Sequence, residues 1–139
     1  MKDCIFCKII TGQIPAKIIV ETDDIIVFLD LKNHPLVVTK KHIANIYGLD
    51  DLLGAQVMKQ AIRLARACKK GLEADGVSIF QNNEPAAGQE VMHYHLHVKP
   101  RWHKDKVMIN MPDTAADEAE REDIVSKIMA ALAQNHHGF

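Results

Sequence analysis

The chain has 139 residues, 17 basic and 18 acidic side chains, a formal net charge of −1 and 47% hydrophobic residues. That length holds one domain with a real core and leaves little for a second, and the composition is that of a globular domain. The charge balance gives no overall footprint for a nucleic acid polymer or an anionic membrane, and no stretch approaches the ~20 apolar residues of a membrane span.

The N-terminal run MKDCIFCKII is apolar only briefly and is broken by Lys8, unlike a secretory leader. A cytoplasmic location is therefore expected, and with it reduced thiols at Cys4, Cys7 and Cys68. CIFCKIITG reads as a short turn of helix stopped by Gly12. KIIVET and DIIVFLDL, rich in Ile and Val, read as two strands turning at Asp23-Asp24. Asn33-His34-Pro35 is a turn signal before a third strand from Leu36 to about Lys40.

The longest helix follows, capped by Asp50 or Asp51. Leu53, Val57, Ala61, Leu64, Ala65, Cys68 and Leu72 recur at helical spacing and mark its buried face. Lys69 and Lys70 suit its C-terminal dipole, and Gly71 or Gly76 ends it. Cys68 lies on the apolar face and reads as a small core residue. GVSIFQNN is a fourth strand, EPAAGQE a loop, and VMHYHLHVKPR a fifth strand ended by Pro100. Thr114, with Asp117 three residues on, opens a last helix whose Ile124, Val125, Ile128, Met129 and Leu132 mark a docked face. Hairpin strands, one long helix and two more strands argue an α+β fold with a mainly antiparallel sheet.

His93, His95 and His97 occupy every second position of the fifth strand. Strand alternation places them on one face, with Tyr94, Leu96 and Val98 on the other. Successive imidazoles then stand ~6.6 Å apart along the strand. That is too far for a direct hydrogen bond but suits a ligand lying across all three. A merely solvated face is the bland alternative. A metal is a second reading: Cys4 and Cys7 form a C-x-x-C pair, and two histidines would complete a Cys₂His₂ zinc site. The same thiols could instead form a redox pair, but they lack a strand-then-helix setting. Nucleophilic catalysis is the third, because neutral imidazole is available near pH 7 and can attack phosphorus. Gln89 and backbone N–H groups of the Gly-containing loop could hold phosphate oxygens.

HYHLHV resembles the signature of the histidine-triad (HIT) nucleotide-binding proteins. CIFCKIITGQIPAKII, VFLDL, KKHI and GQEVMHYHLHVKPRW match that family's other landmarks in order, so the likeness runs to about Trp102. It implies a HIT-like fold: a five-stranded antiparallel sheet with one long and one short helix, over residues 1–111. A C-terminal helical extension would occupy 112–139. It implies a homodimer that binds purine nucleotides and cleaves phosphoramidates or dinucleoside polyphosphates at the α-phosphate. By motif position His95 is the nucleophile and His97 its phosphate-side partner. Asn82 and Gln89 match phosphate-loop residues, and Asp30 matches the carboxylate that takes the ribose hydroxyls. Phe6, Ile9, Ile14, Phe28 and Leu31 resemble the base slot, with ordinary core as the alternative.

Some bacterial members hold a structural zinc at positions matched here by Cys4, Cys7, His42 and His93. The triad is then shared between metal and chemistry. Three departures stand out. LKNHPLVVT is several residues shorter than the family's Pro-Gly-His-containing loop, Glu90 replaces a Ser or Thr after Gly-Gln, and Met92 replaces an aromatic. The expectation is a cytoplasmic zinc-containing nucleotide hydrolase or transferase. The alternative is a nucleotide-binding module with little turnover. His136 and His137 read as surface residues.

Overall fold

The computed structural model describes residues 3–107 and 116–134. The chain divides into two compact units, Met1–Asp105 and Lys106–Phe139. In the first, α1 (Ile5–Ile10) precedes β1 (Lys17–Glu21), β2 (Ile25–Leu29) and β3 (Pro35–Thr39). Then come α2 (Asp51–Gly71), β4 (Gly76–Phe80) and β5 (His95–Arg101). The strands form one sheet of order β1-β2-β3-β5-β4 in which every neighbouring pair is antiparallel. The expected five-stranded antiparallel α+β architecture is therefore present.

Strand alternation sorts the core into two layers. Ile25, Val27, Val37, Tyr94, Leu96 and Val98 pack with Leu53, Val57, Ala61, Leu64 and Cys68 of α2. On the other face Ile26, Phe28, Leu36 and Val38 pack with Phe6 and Ile9 of α1. The central strands are apolar on both faces because each face carries a helix. The Asp50 carboxylate caps α2 by accepting the Leu53 N–H at 2.8 Å. The helix ends at Gly71; Leu72 caps it and is 52% exposed, so the apolar period stops one turn sooner than its sequence spacing implies. Burial pushes the Cys68 thiol up, in keeping with its place in the core.

The fifth strand differs from its sequence reading at both ends. It starts at His95, because Val91–Tyr94 leave the ladder: the His93 N–H donates to the Val91 carbonyl and the Tyr94 N–H to the Ile43 carbonyl. It also runs through Pro100. There β5 has passed the end of β3 and is paired only with β4, so a missing N–H is tolerated. The fourth strand stops at Phe80, where Gln81 and Asn83 exchange side-chain amide bonds at 2.7 and 2.9 Å instead of continuing the ladder.

In the second unit α3 spans Glu118–Gln134, and the Asp117 carboxylate accepts the Glu120 N–H at 2.9 Å. Thr114, the expected cap, lies outside the described residues, as do His136 and His137. Ile124, Val125, Ile128, Met129 and Leu132 are 46–65% exposed. Periodicity reports which side of a helix is apolar, not whether anything covers it.

Candidate functional site: a cysteine–histidine cluster beside a histidine pair

Four side chains from three parts of the sequence converge behind β5. Cys4 precedes α1, Cys7 lies on α1, His42 follows β3 and His93 precedes β5. Their ligand atoms all lie within 4.8 Å of one another. His93 Nδ1 is 3.4 Å from Cys4 Sγ and 3.6 Å from Cys7 Sγ, and His42 Nδ1 is 3.3 Å from Cys7 Sγ. With Zn–S near 2.3 Å and Zn–N near 2.0 Å, adjacent donors of a tetrahedral zinc stand roughly 3.5 Å apart.

The protonation pattern suits a metal too. His93 Nε2 is 2.7 Å from the Thr39 carbonyl, which can only accept, so the proton sits on Nε2. Nδ1 is left bare and faces the sulfurs, the arrangement of a metal-ligating imidazole. Burial holds His93 below the usual imidazole range and the Cys7 thiol above its ordinary value. The donor set therefore fits a borderline-soft divalent cation, whose charge would take the thiols to thiolates.

Two residues further, His95 uses the opposite tautomer. Its Nδ1 lies 2.7 Å from the His93 carbonyl and must donate, so Nε2 keeps its lone pair. Loss of water contact lowers its basicity, against the opposing pull of the His93 carbonyl and the Glu90 carboxylate. At neutral pH His95 is an uncharged base with its free nitrogen at Nε2.

The β3–β5 register sets Val38 beside His95 and Leu36 beside His97. The His95 and His97 rings meet edge to face at 5.0 Å, closer than the ~6.6 Å of strand spacing. His97 is flanked on its other side by Phe80, stacked at 4.4 Å and 8°. Burial, with His95 and His34 nearby, pushes His97 down to about 4.

His34 is the residue that the sequence reading passed over as part of a turn. It is buried, with Nε2 2.9 Å from His97 Nδ1 and 3.2 Å from the Asp30 carboxylate. Burial lowers its basicity, and Asp30 opposes this. The signal that could have found it is positional: two residues before Leu36, it shares the β3 face that meets His97. Phe80 was missed for a similar reason, since only the Phe80–His97 pairing shows its stacking.

The other expected residues are placed unevenly. Phe6 joins the two halves of the site: its ring is 5.1 Å from His95, 5.9 Å from His93 and 5.4 Å from Phe28. Ile9, Ile14 and Phe28 belong to the same apolar cluster, whereas Leu31 is 103% exposed and stands outside it. Gln89 is buried, and its side chain braces its own loop. It donates to the Ala44 and Val91 carbonyls and accepts the Glu84 N–H at 2.7 Å. Asn82 faces the Gly88 carbonyl at 3.5 Å across the same loop.

The chain is similar to known proteins. A family model described as "HIT domain" matches residues 11–104. The chain is 39% identical over 137 residues to Protein hit of Bacillus subtilis, covering 96% of this chain and 94% of that protein. It is 34% identical over 134 residues to adenosine 5'-monophosphoramidase of Saccharomyces cerevisiae, covering 93% of this chain and 82% of the relative. The crystal structure of a zinc-bound histidine triad family protein from Mycobacterium smegmatis superposes with a TM-score of 0.73 at 32% identity, covering 97% and 99% of the two chains. By fold, by motif and by these likenesses, the chain belongs to the HIT family.

Proposed function

We propose that this chain hydrolyses purine nucleotide conjugates, phosphoramidates or dinucleoside polyphosphates, at the α-phosphate through a nucleotidyl-His95 intermediate. The observation that carries the reading is the His95 tautomer: Nδ1–H is committed to the His93 carbonyl, and Nε2 is free. Nε2 bonds to the α-phosphorus while the bond to the leaving amine or phosphate breaks, and the leaving group departs with a proton from His97 or water. A water then attacks the same phosphorus and displaces Nε2. The nucleoside monophosphate leaves, and the proton of the attacking water restores the one lost. The His93 carbonyl steadies the positive charge that the ring carries while nucleotidylated. The yeast relative, an adenosine 5'-monophosphoramidase by name, supports an amine leaving group.

The remaining site residues follow from placement. Phe6, Ile9, Ile14 and Phe28 form an apolar floor beside His95 for the base. Asn82 and the loop braced by Gln89 lie on the phosphate side. The domain on this reading is 1–111, with 112–139 as an extension, and it acts as a cytoplasmic homodimer without a nucleic acid polymer or membrane partner. No described helix is long and apolar enough to cross a membrane.

Cys4, Cys7, His42 and His93 would hold zinc in a structural role, which is to crosslink α1 to the segments flanking β3 and β5. Its use to the chemistry is indirect. His93 offers its side chain to the metal and its carbonyl to His95, so holding one steadies the other.

Trapping with adenosine 5'-phosphoramidate tests the reading. The wild type should yield a nucleotidylated protein on acid-free quenching, and His95→Ala should yield none and lose turnover. Unchanged turnover in His95→Ala would remove the mechanism.

A further inference from the structure

The loop on the phosphate side of the site is acidic. Residues 81–92 include two carboxylates, Glu84 and Glu90, and neither Lys nor Arg. The position of Glu90 is fixed from both sides. Gln89, buried just before it, donates to the Ala44 and Val91 carbonyls, and the Val91 carbonyl also accepts the His93 N–H at 2.8 Å. Val91, just after it, packs against the apolar cluster that contains Phe6, whose ring meets His95 at 5.1 Å. With both neighbours held inward, the Glu90 side chain is left exposed. Among the described residues it has no hydrogen-bond or ion-pair partner.

Its charge nevertheless reaches the reacting ring. Burial lowers the basicity of His95, and the His93 carbonyl and the Glu90 carboxylate oppose this. Cations act on the site from the other end. Besides burial, Lys99 lowers the basicity of His34 and His97, and Lys32 that of His34. Strand alternation puts Lys99 on the face of His95 and His97, one step beyond His97. The histidine pair thus lies between a cationic end at Lys99 and an acidic loop at Glu90.

On the hydrolase reading above, the base lies over Phe6 and the ribose toward Asp30, which is 3.2 Å from His34. Phe80, stacked at 4.4 Å, covers His97. With the α-phosphate at His95 Nε2, the group beyond it extends along the 81–92 loop. We propose that Glu90 sets the class of leaving group: it favours amines, above all amines with a second positive charge, and disfavours anionic leaving groups such as nucleoside polyphosphates. The inference rests on the hydrolase reading and narrows it to phosphoramidates. As the P–N bond breaks, the nitrogen takes up a proton and remains an N–H donor, which a carboxylate can accept. A departing polyphosphate presents negative oxygens to the same carboxylate and is repelled. Because Glu90 is exposed, each effect is modest and screened by salt.

Three adenosine 5'-phosphoramidates of similar length test this, those of butylamine, 1,4-diaminobutane and 4-aminobutyrate, whose tails are neutral, positive and negative. In the wild type kcat/KM should be highest for the diamine and lowest for the aminobutyrate, with about two- to fivefold per step for one charge pair at a wet surface. Glu90→Gln should flatten this order and Glu90→Lys should reverse it. Added salt should narrow the spread in the wild type. Diadenosine triphosphate should be turned over faster by Glu90→Gln than by the wild type. Dissociation constants of the three phosphoramidates for His95→Ala, with and without Glu90→Gln, measure the same order without turnover.

A wild-type order that ignores tail charge, or one that survives Glu90→Lys unchanged, would overturn the proposal. Wild-type protein inactive on all four compounds would instead strike the hydrolase reading, and the dissociation constants would still decide whether Glu90 reads the charge of the group beyond the phosphate.

Discussion

Acid should destabilise this protein through His97 before it reaches ordinary carboxylates. In the folded chain burial and the neighbouring His95 and His34 hold His97 at about 4, against 6.5 for a free imidazole. Between those values the unfolded chain binds the extra proton and the folded one does not. Stability is therefore intact above the unfolded value and falls as pH drops through the window from 6.5 to 4. The gap sets a ceiling of about 3 kcal/mol, of which roughly 2 kcal/mol is lost between pH 7 and pH 5. Urea unfolding at both pH values, for the wild type and His97→Gln, isolates the contribution, because protonation of the metal ligands is common to both. The wild type should lose roughly 2 kcal/mol more than the variant over that interval. Parallel losses in the two proteins would refute the assignment of this acid sensitivity to His97.

Other outcomes follow from single contacts. Cys7→Ser should abolish the one equivalent of zinc expected in the wild type by metal analysis, because Cys7 Sγ contacts both histidines of the cluster; a metal-free wild type with a reversible Cys4–Cys7 disulfide would favour redox chemistry instead. Glu84 sits at φ 69° and ψ 160°, a region natural to glycine, where a side chain costs about 1–3 kcal/mol. Glu84→Gly should raise the midpoint of thermal unfolding by a few degrees, net of the backbone entropy glycine adds to the unfolded chain. Asp50→Ala removes the carboxylate that accepts the Leu53 N–H and should lower stability by about 1 kcal/mol in denaturant unfolding.

The sequence by itself determined the architecture and the parts list. Short runs rich in Ile and Val between turn signals marked the strands of the sheet. Helical spacing with an Asp cap gave α2, because an amphipathic face and a local cap are written in neighbouring residues. The C-x-x-C pair and the triad pointed to metal and phosphorus chemistry through residue type alone. Tertiary structure decided how those parts are shared. His93 leaves the strand, and only the carbonyls of Thr39 and His93 show that it and His95 carry opposite tautomers. His34 looked like a turn residue until the β3–β5 register set it against His97 and the short loop put the Asp30 carboxylate on its ring. Such facts depend on which strands pair, in which register and where each hydrogen-bond acceptor lies. Contacts between residues sixty positions apart leave no trace in local spacing.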